Sequence, residues 1–466
     1  MRKKLWIGLL AGTMALTAVI GFVSCRQTPD STGGNNQEQG GNQGPKLPET
    51  PVVGTEGLAY TLSYDDTFYI ASGMGTCTAT EIVIGNIYNN LPVTQIKTSA
   101  FARCSELTEV IIPGGITDIA NYAFRYCSSL ASITLGDDLQ SIGVQSFLYC
   151  EALTEITIPS SLTKIDIEAF EYCSSLTSIT LGSGLKTIEG GAFAVCPSLT
   201  SITIPQSVTK IGNDSFNFCS GLESIAVESG NEVYHSEGNC LIETATKTLV
   251  LGCKTSVIPT DGSVAAIGVC AFDGCKFLTQ ITIPDSVTSI GKQAFYDCEG
   301  LTSVTMGNGM TTIGDHAFYY CSALTKFTIP DSVVSIGKAA FYGDYRLIET
   351  ENGVEYVDKW VVRYDCVTPV IVLRSDTVGI ADRSFYQMEG DTVLGGALTE
   401  ITIPDTLKHI GENVFSSEQR SLKIQFNGTK AEWLAIDKGS DWEQISREFT
   451  ILCTDGTLDK DGNEIE

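Results

Sequence analysis

Thiols are the first groups to test for chemistry in this chain, because it carries 16 cysteines and only 3 histidines in 466 residues. Nine of the cysteines, Cys104, Cys127, Cys150, Cys173, Cys196, Cys219, Cys275, Cys298 and Cys321, share one register, and most of them lie 23 residues apart. A zinc site would gather Cys and His at short spacings such as CxxC, and a nucleophilic thiol needs a base beside it. The chain has no CxxC, no HExxH and no GxSxG, and His235, His316 and His409 fall at unrelated points of the register. His235 and Cys240, five residues apart, lie where a hairpin is expected. Disulfides between successive members of the series are disfavoured: coils about 4.8 Å apart present parallel side chains, whereas bridged Cβ atoms must close to about 3.8 Å. The series is also odd-numbered. "DKDGNE" near the end places its Gly fourth rather than sixth, so it reads as a turn and not a calcium loop. The sequence therefore assigns no catalytic residue, no metal ligand and no cofactor, and the cysteines read as small buried packing groups.

What repeats is larger than the cysteine. Phe101, Phe124, Phe147, Phe170, Phe193 and Phe216 are 23 apart, as are Phe272, Phe295, Phe318 and Phe341; Phe385 and Phe415 continue the series with gaps of 44 and 30. One copy reads "IDIEAFEYCSSLTSITLG". Ile179 and Leu181 alternate with Ser178 and Thr180, the pattern of a strand with one buried face. Phe170, Cys173 and Leu176 are spaced by three, as in a single helical or 3₁₀ turn. One strand and one tight turn per 23 residues make a coil, and coils stack into a parallel sheet. Strand exits alternate between Pro (Pro113, Pro159, Pro205) and Gly (Gly136, Gly182), so the full unit is a pair of coils. The expected architecture is a β-rich solenoid of about a dozen coils, a parallel sheet with short helical or 3₁₀ turns.

This pattern resembles the BspA-like leucine-rich repeat family of bacterial surface lipoproteins over residues 57–457. The resemblance implies a cap at 56–95, repeats at 96–228, a hairpin island at 229–263, further repeats at 264–341, a second island at 342–379, and last repeats with a C-terminal cap at 380–466. In that cap Thr429 and Glu432 suit a capping box, with Trp433 and Ile436 sealing the last coil.

Upstream, "MRKK" and the apolar run ending in "FVSC" form a signal peptide, 1–24, with a lipobox-like site at Cys25. Phe22 stands where Leu is usual. Residues 25–55, rich in Gly, Asn, Gln and Pro, read as a disordered tether. The expected location is the cell envelope, with the chain held to the outer membrane by its N-terminal lipid and exposed at the surface. Formal charge is −26, and −29 without Arg2, Lys3 and Lys4 (26 basic against 55 acidic residues). That balance makes nucleic acid a poor partner.

Two sets of residues are candidates for ligand binding. The islands carry features that occur once, Tyr234, His235, Trp360, Arg363 and Tyr364, of types that dominate interface hot spots. The alternative is an aromatic ladder two residues after the Phe: Tyr126, Tyr149, Tyr172, Phe218 and Tyr320. The family resemblance implies protein–protein interaction, as in adhesion to host or matrix proteins. Glycan capture by the ladder is the alternative, and an envelope enzyme with its chemistry in an island is the remote one.

Overall fold

The structure is a computed structural model that describes residues 46–365, 367–385, 388–389, 392–393, 398–415, 422–443 and 449–465. The signal peptide, Cys25 and the first part of the tether lie outside the described residues. The alternating Ile-x-Ile segments form short parallel strands in 23-residue register: Glu155 lies opposite Ser178, and Ile156 opposite Ile179. Their Ile side chains point into the core while Ser and Thr face out. Each coil also has a second strand that was not foreseen. It comprises two residues, as in Lys164–Ile165 and Thr187–Ile188, and it builds a second parallel ladder. A two-residue strand is too short to show a period in sequence. Among the described residues no helix is long and apolar enough to cross a membrane.

Between the two ladders runs the turn that carries Phe and Cys. It is a chain of tight turns rather than a 3₁₀ helix, and its amides alternate in what they bond. Tyr122, Phe124 and Tyr126 donate to Val144, Ser146 and Leu148 of the next coil at 2.9, 2.7 and 2.8 Å. Ala123, Arg125 and Cys127 donate three residues back within their own coil. The turn is therefore stitched to its neighbour as firmly as the strands are, and its backbone amides do not need water.

The inner columns explain the residue types. Phe rings stack coil on coil with centroids 4.9–5.5 Å apart and planes within 14°. Each fully buried Phe contributes roughly 1.5–3 kcal/mol. Seven of the nine ladder thiols, all but Cys104 and Cys275, donate to the Phe carbonyl of the preceding coil: Cys127 Sγ to Phe101 O at 3.1 Å, Cys150 to Phe124 O at 3.4 Å, and Cys321 to Phe295 O at 3.1 Å, with Cys173, Cys196, Cys219 and Cys298 alike. Cysteine thus serves as a small apolar filler with a weak donor. All the ladder cysteines are free thiols. Burial pushes Cys127 and Cys173 up to about 12, which removes the reactive thiolate. The Pro/Gly alternation has a steric cause as well. A Cβ at Gly182 would come within 2.5 Å of the Pro159 carbonyl oxygen, so a Gly corner can lie directly over a Pro corner.

The stack has about 16 turns, more than the dozen expected, because the N-terminal cap and both islands add strands to it. The cap hairpin Ala59–Leu62 with Tyr69–Gly73 runs from antiparallel pairing into parallel pairing with Leu91–Ile96. Each island is an antiparallel three-strand unit whose last strand, Thr248–Leu251 or Trp360–Tyr364, pairs in parallel with the next coil. Part of the predicted tether is ordered: Val52 N–H donates to Asn86 Oδ1 at 2.7 Å, and Asn86 Nδ2 donates to Thr50 and Gly114 carbonyls. A buried asparagine thus pins residues 50–52 to the cap. At the other end the helix Lys430–Ala435 starts in the expected capping box of Thr429 and Glu432, with Trp433 buried beneath it.

Candidate ligand-binding surface

The outward side of the turn is where the alternative ladder lies. The residue two after each Phe has a left-handed backbone: φ is 63° at Tyr126, 60° at Tyr149, 59° at Tyr172, 58° at Phe218 and 59° at Tyr320. Large side chains rarely adopt this conformation, which costs roughly 1–2 kcal/mol per residue. The inter-coil amide bond and ring stacking offset it. Tyr126, Tyr149 and Tyr172 stack at 5.0 and 4.3 Å with planes within 14°. Arg125 and Arg103 cover the remaining face of Tyr126, at 4.9 and 5.4 Å from its centroid. Sugar rings dock on exposed aromatic faces, and in this stack the faces meet one another or a guanidinium. Burial, with the neighbouring phenols, pushes Tyr149 up to about 12.

The island residues divide by burial. Tyr234 is 5% exposed and its Oη accepts the Ile211 amide at 3.1 Å. Trp360 is 2% exposed and lies parallel to His409 with centroids 6.0 Å apart. Tyr364 is 1% exposed and donates to the Thr368 carbonyl. These three aromatics are lids on the coils beneath them and are not presented to solvent. They cover the core because the island strands continue the solenoid. For Trp360 and Tyr364 the facing could not be read from alternation, since a bulge between Glu355 and Tyr356 breaks it. His235 is half-buried, with Nδ1 2.8 Å from Thr244 Oγ1. Cys240, the thiol nearest it in sequence, is buried and pushed up to about 12, so it offers no nucleophile.

Arg363 is the island residue that reaches the surface beside other candidates. It forms a two-point ion pair with Glu355, Nε to Oε2 at 2.8 Å, and its guanidinium lies 5.3 Å from the Tyr342 ring. Tyr342 in turn meets Tyr320 edge-on at 5.9 Å. The structure therefore joins one member of each predicted set, Arg363 and Tyr320, through a residue that belonged to neither. Tyr342 closes a column one residue after the Phe, Tyr296–Tyr319–Tyr342, stacked at 5.0 Å in both steps. The column is spaced by 23 and was there to be found. Tyr320 has no ladder neighbour, because the coils before and after it carry Asp297 and Gly343 at that position. A Cβ on Gly343 would come within 2.2 Å of the Tyr320 ring. The result is an aromatic cluster in which Tyr320 is 41% exposed; Tyr345, 71% exposed, lies within electrostatic range of Arg363.

The profile of the BspA type leucine rich repeat region, in its six-copy form, matches residues 94–223, 140–261, 265–391 and 394–433. The chain belongs to the BspA type leucine-rich repeat family. A crystal structure of a leucine-rich cell-surface protein from Faecalibacterium prausnitzii is similar over 84% of this chain and 98% of its own, at 25% identity and a TM-score of 0.52. The pneumococcal vaccine antigen PcpA shares the fold over 86% of this chain and 98% of its own, at 19% identity and a TM-score of 0.56. The comparison with curated proteins returned no match. In a BspA type chain the regular coils offer nearly the same outward face many times over. Features that could tell one partner from another sit where the repeat is interrupted, and the junction of Tyr320, Tyr342, Tyr345 and Arg363 is such a place.

Proposed function

We propose that this protein is a non-enzymatic interaction protein of the bacterial surface, tethered by a lipid on Cys25, that binds an extracellular or host protein through the junction of the second repeat block and second island. The observation that carries this reading is the junction of exposed Tyr320 and Tyr345 with half-buried Tyr342 and Arg363. It combines the residue types enriched in hot spots, and Tyr320 and Tyr342 are held in place against a rigid stacked column. Family membership and the description of the Faecalibacterium prausnitzii protein as a cell-surface protein support the location. The test is a screen of the secreted form, residues 46–466, against matrix proteins and a glycan array. Tyr320→Ala with Tyr345→Ala should weaken binding of the protein hit at least tenfold while leaving the melting temperature within about 2 °C. Binding that survives this pair but is lost on mutating Tyr126, Tyr149 and Tyr172 would sink the reading and favour glycan capture. Anchoring is tested separately: Cys25→Ser should abolish the lipid mass and detergent-phase partitioning seen for the wild type.

A further inference from the structure

The first island leaves a notch in the stack. Leu249 stands in the second ladder opposite Ile267, at the Ile position of a regular coil. From that position a regular coil reaches the thiol column eight residues later, as from Ile211 to Cys219 and from Ile267 to Cys275. The island needs four, from Leu249 to Cys253, and Cys253 lies within electrostatic range of Cys275 as Cys219 does. Four residues of turn are therefore missing between two complete turns. Asn213 and Val269, each two residues past its Ile, line the space from the two flanking coils. Farther along, those coils meet again, where Phe218 N–H donates to Asp273 O at 3.0 Å.

The space is a cavity of about 340 Å³, at the lower end of the range that holds small organic molecules. Ile211, Val250, Ile267 and Val269 give it apolar walls. Its polar groups are Asn213, Thr248, Glu243 and the Tyr234 hydroxyl. The hydroxyl oxygen accepts from Ile211 N–H at 3.1 Å, in place of the ladder carbonyl that a regular next coil supplies. Burial, opposed by the Ile211 amide, raises the Tyr234 phenol, and Glu243 adds to the rise from close by. Glu243 Oε2 accepts from Thr246. Its other oxygen, with the side chains of Asn213 and Thr248, bonds to no group among the described residues. No Lys, Arg or His lines the cavity. Apolar walls around one unpaired carboxylate are complementary to an organic cation, whose ammonium makes a charge-assisted bond while its body covers the walls. The formal charge of −26 steers such cations toward the chain.

We propose that the notch beside the first island binds a small primary amine with an apolar body, its ammonium on Glu243 and its body against Ile211, Val250 and Val269. The site is separate from the aromatic junction and does not rest on it. The test titrates the mature chain with phenethylamine by ligand-observed NMR at fixed ionic strength, where saturable binding is expected. Phenethyl alcohol, which keeps the body and lacks the charge, should bind at least fivefold more weakly. Glu243→Gln should weaken phenethylamine at least fivefold and leave phenethyl alcohol within twofold. Ala266 lines the cavity from an outward strand position that Lys210 and Ser289 hold in other coils, so a larger side chain is accommodated there. Ala266→Phe should fill the notch and abolish binding of both compounds, with the melting temperature within about 2 °C of wild type. Equal affinities for amine and alcohol, amine binding that survives either substitution, or no saturable binding would each overturn the proposal. Nα-acetyllysine amide carries the ammonium on a bare stem and should bind at least fivefold more weakly than phenethylamine. Equal or tighter binding would make the notch a docking point for a partner's lysine and overturn the small-ligand assignment. Tyr320→Ala with Tyr345→Ala should leave phenethylamine binding unchanged, so the two sites can fail independently.

Discussion

The coil around Phe170 and the coil around Phe341 begin alike and end differently. Phe341 stacks on Phe318 at 5.5 Å, as Phe170 stacks on Phe147 at 5.0 Å. In the first coil Tyr172 continues the phenol ladder and Cys173 donates to Phe147 O at 3.5 Å. In the second, Gly343 and Asp344 stand in those two positions. Asp344 is fully buried, neither carboxyl oxygen has a hydrogen-bond partner, and burial pushes it up to about 9. An intact coil has a use for each group on its turn, and that leaves nothing over for a partner. At the broken coil an aromatic swings out, a glycine makes room for it and an acid is left in the core. Stability belongs to the first kind of coil, and the proposed recognition surface to the second.

Two substitutions test the stability half of that contrast. Phe193→Ala, in the middle of the first stack, should cost roughly 3–5 kcal/mol in urea unfolding, as other large core truncations do. A cost below about 1 kcal/mol would mean that the ring column does not hold the coils together. Asp344→Cys restores the ladder at its broken rung. Asp344 has a folded-state value near 9 against an ordinary 3.8. Its contribution is therefore complete below about pH 4 and is lost as pH rises toward 9, at up to about 1.4 kcal/mol per pH unit. Asp273, raised to about 8, adds a similar slope. Wild type should be more stable at pH 5 than at pH 8, and Asp344→Cys should flatten that profile and raise stability at pH 8. A variant no more stable than wild type at pH 8 would show that the acid is already accommodated.

The intact coils were the legible part of the sequence. The Phe and Cys columns, the outward Ser and Thr and the Thr429–Glu432 capping box follow from spacing and residue type, because each is a local pattern repeated or a local motif. The two-residue strands escaped because they are too short to have a period. Tyr234, Trp360 and Tyr364 stood out as ligand-binding candidates because they occur once, in hairpins that interrupt the repeat. In the fold the islands supply strands to the stack, so their largest aromatics become core. Tyr342 was overlooked although its 23-residue spacing from Tyr319 was visible.

Gly343→Ala tests whether the break is what builds the binding surface. The glycine has φ of 90°, in the left-handed region, and its new Cβ would displace the Tyr320 ring. The backbone term should cost roughly 1–2 kcal/mol. Affinity for the partner should fall severalfold although no exposed side chain is removed. Unchanged affinity with an unchanged spectrum for Tyr320 would show that the surface does not depend on the glycine.

Cys173→Ala should have the smallest effect, and its size decides what the thiol ladder is for. The Sγ–H of Cys173 reaches the Phe147 carbonyl, but that carbonyl already accepts the Cys150 amide at 3.1 Å. Removing the thiol therefore leaves no orphaned acceptor, and the loss is a weak bond and a small volume, about 1 kcal/mol or less. The buried ladder thiols should stay unmodified by iodoacetamide at pH 8 in the folded chain, while half-buried Cys77, Cys104, Cys270 and Cys453 react first. Non-reducing mass mapping should likewise find Cys127, Cys150, Cys196 and Cys219 free. Bridges between successive coils, or a loss of several kcal/mol on removing one thiol, would give the ladder a covalent role that packing alone does not supply.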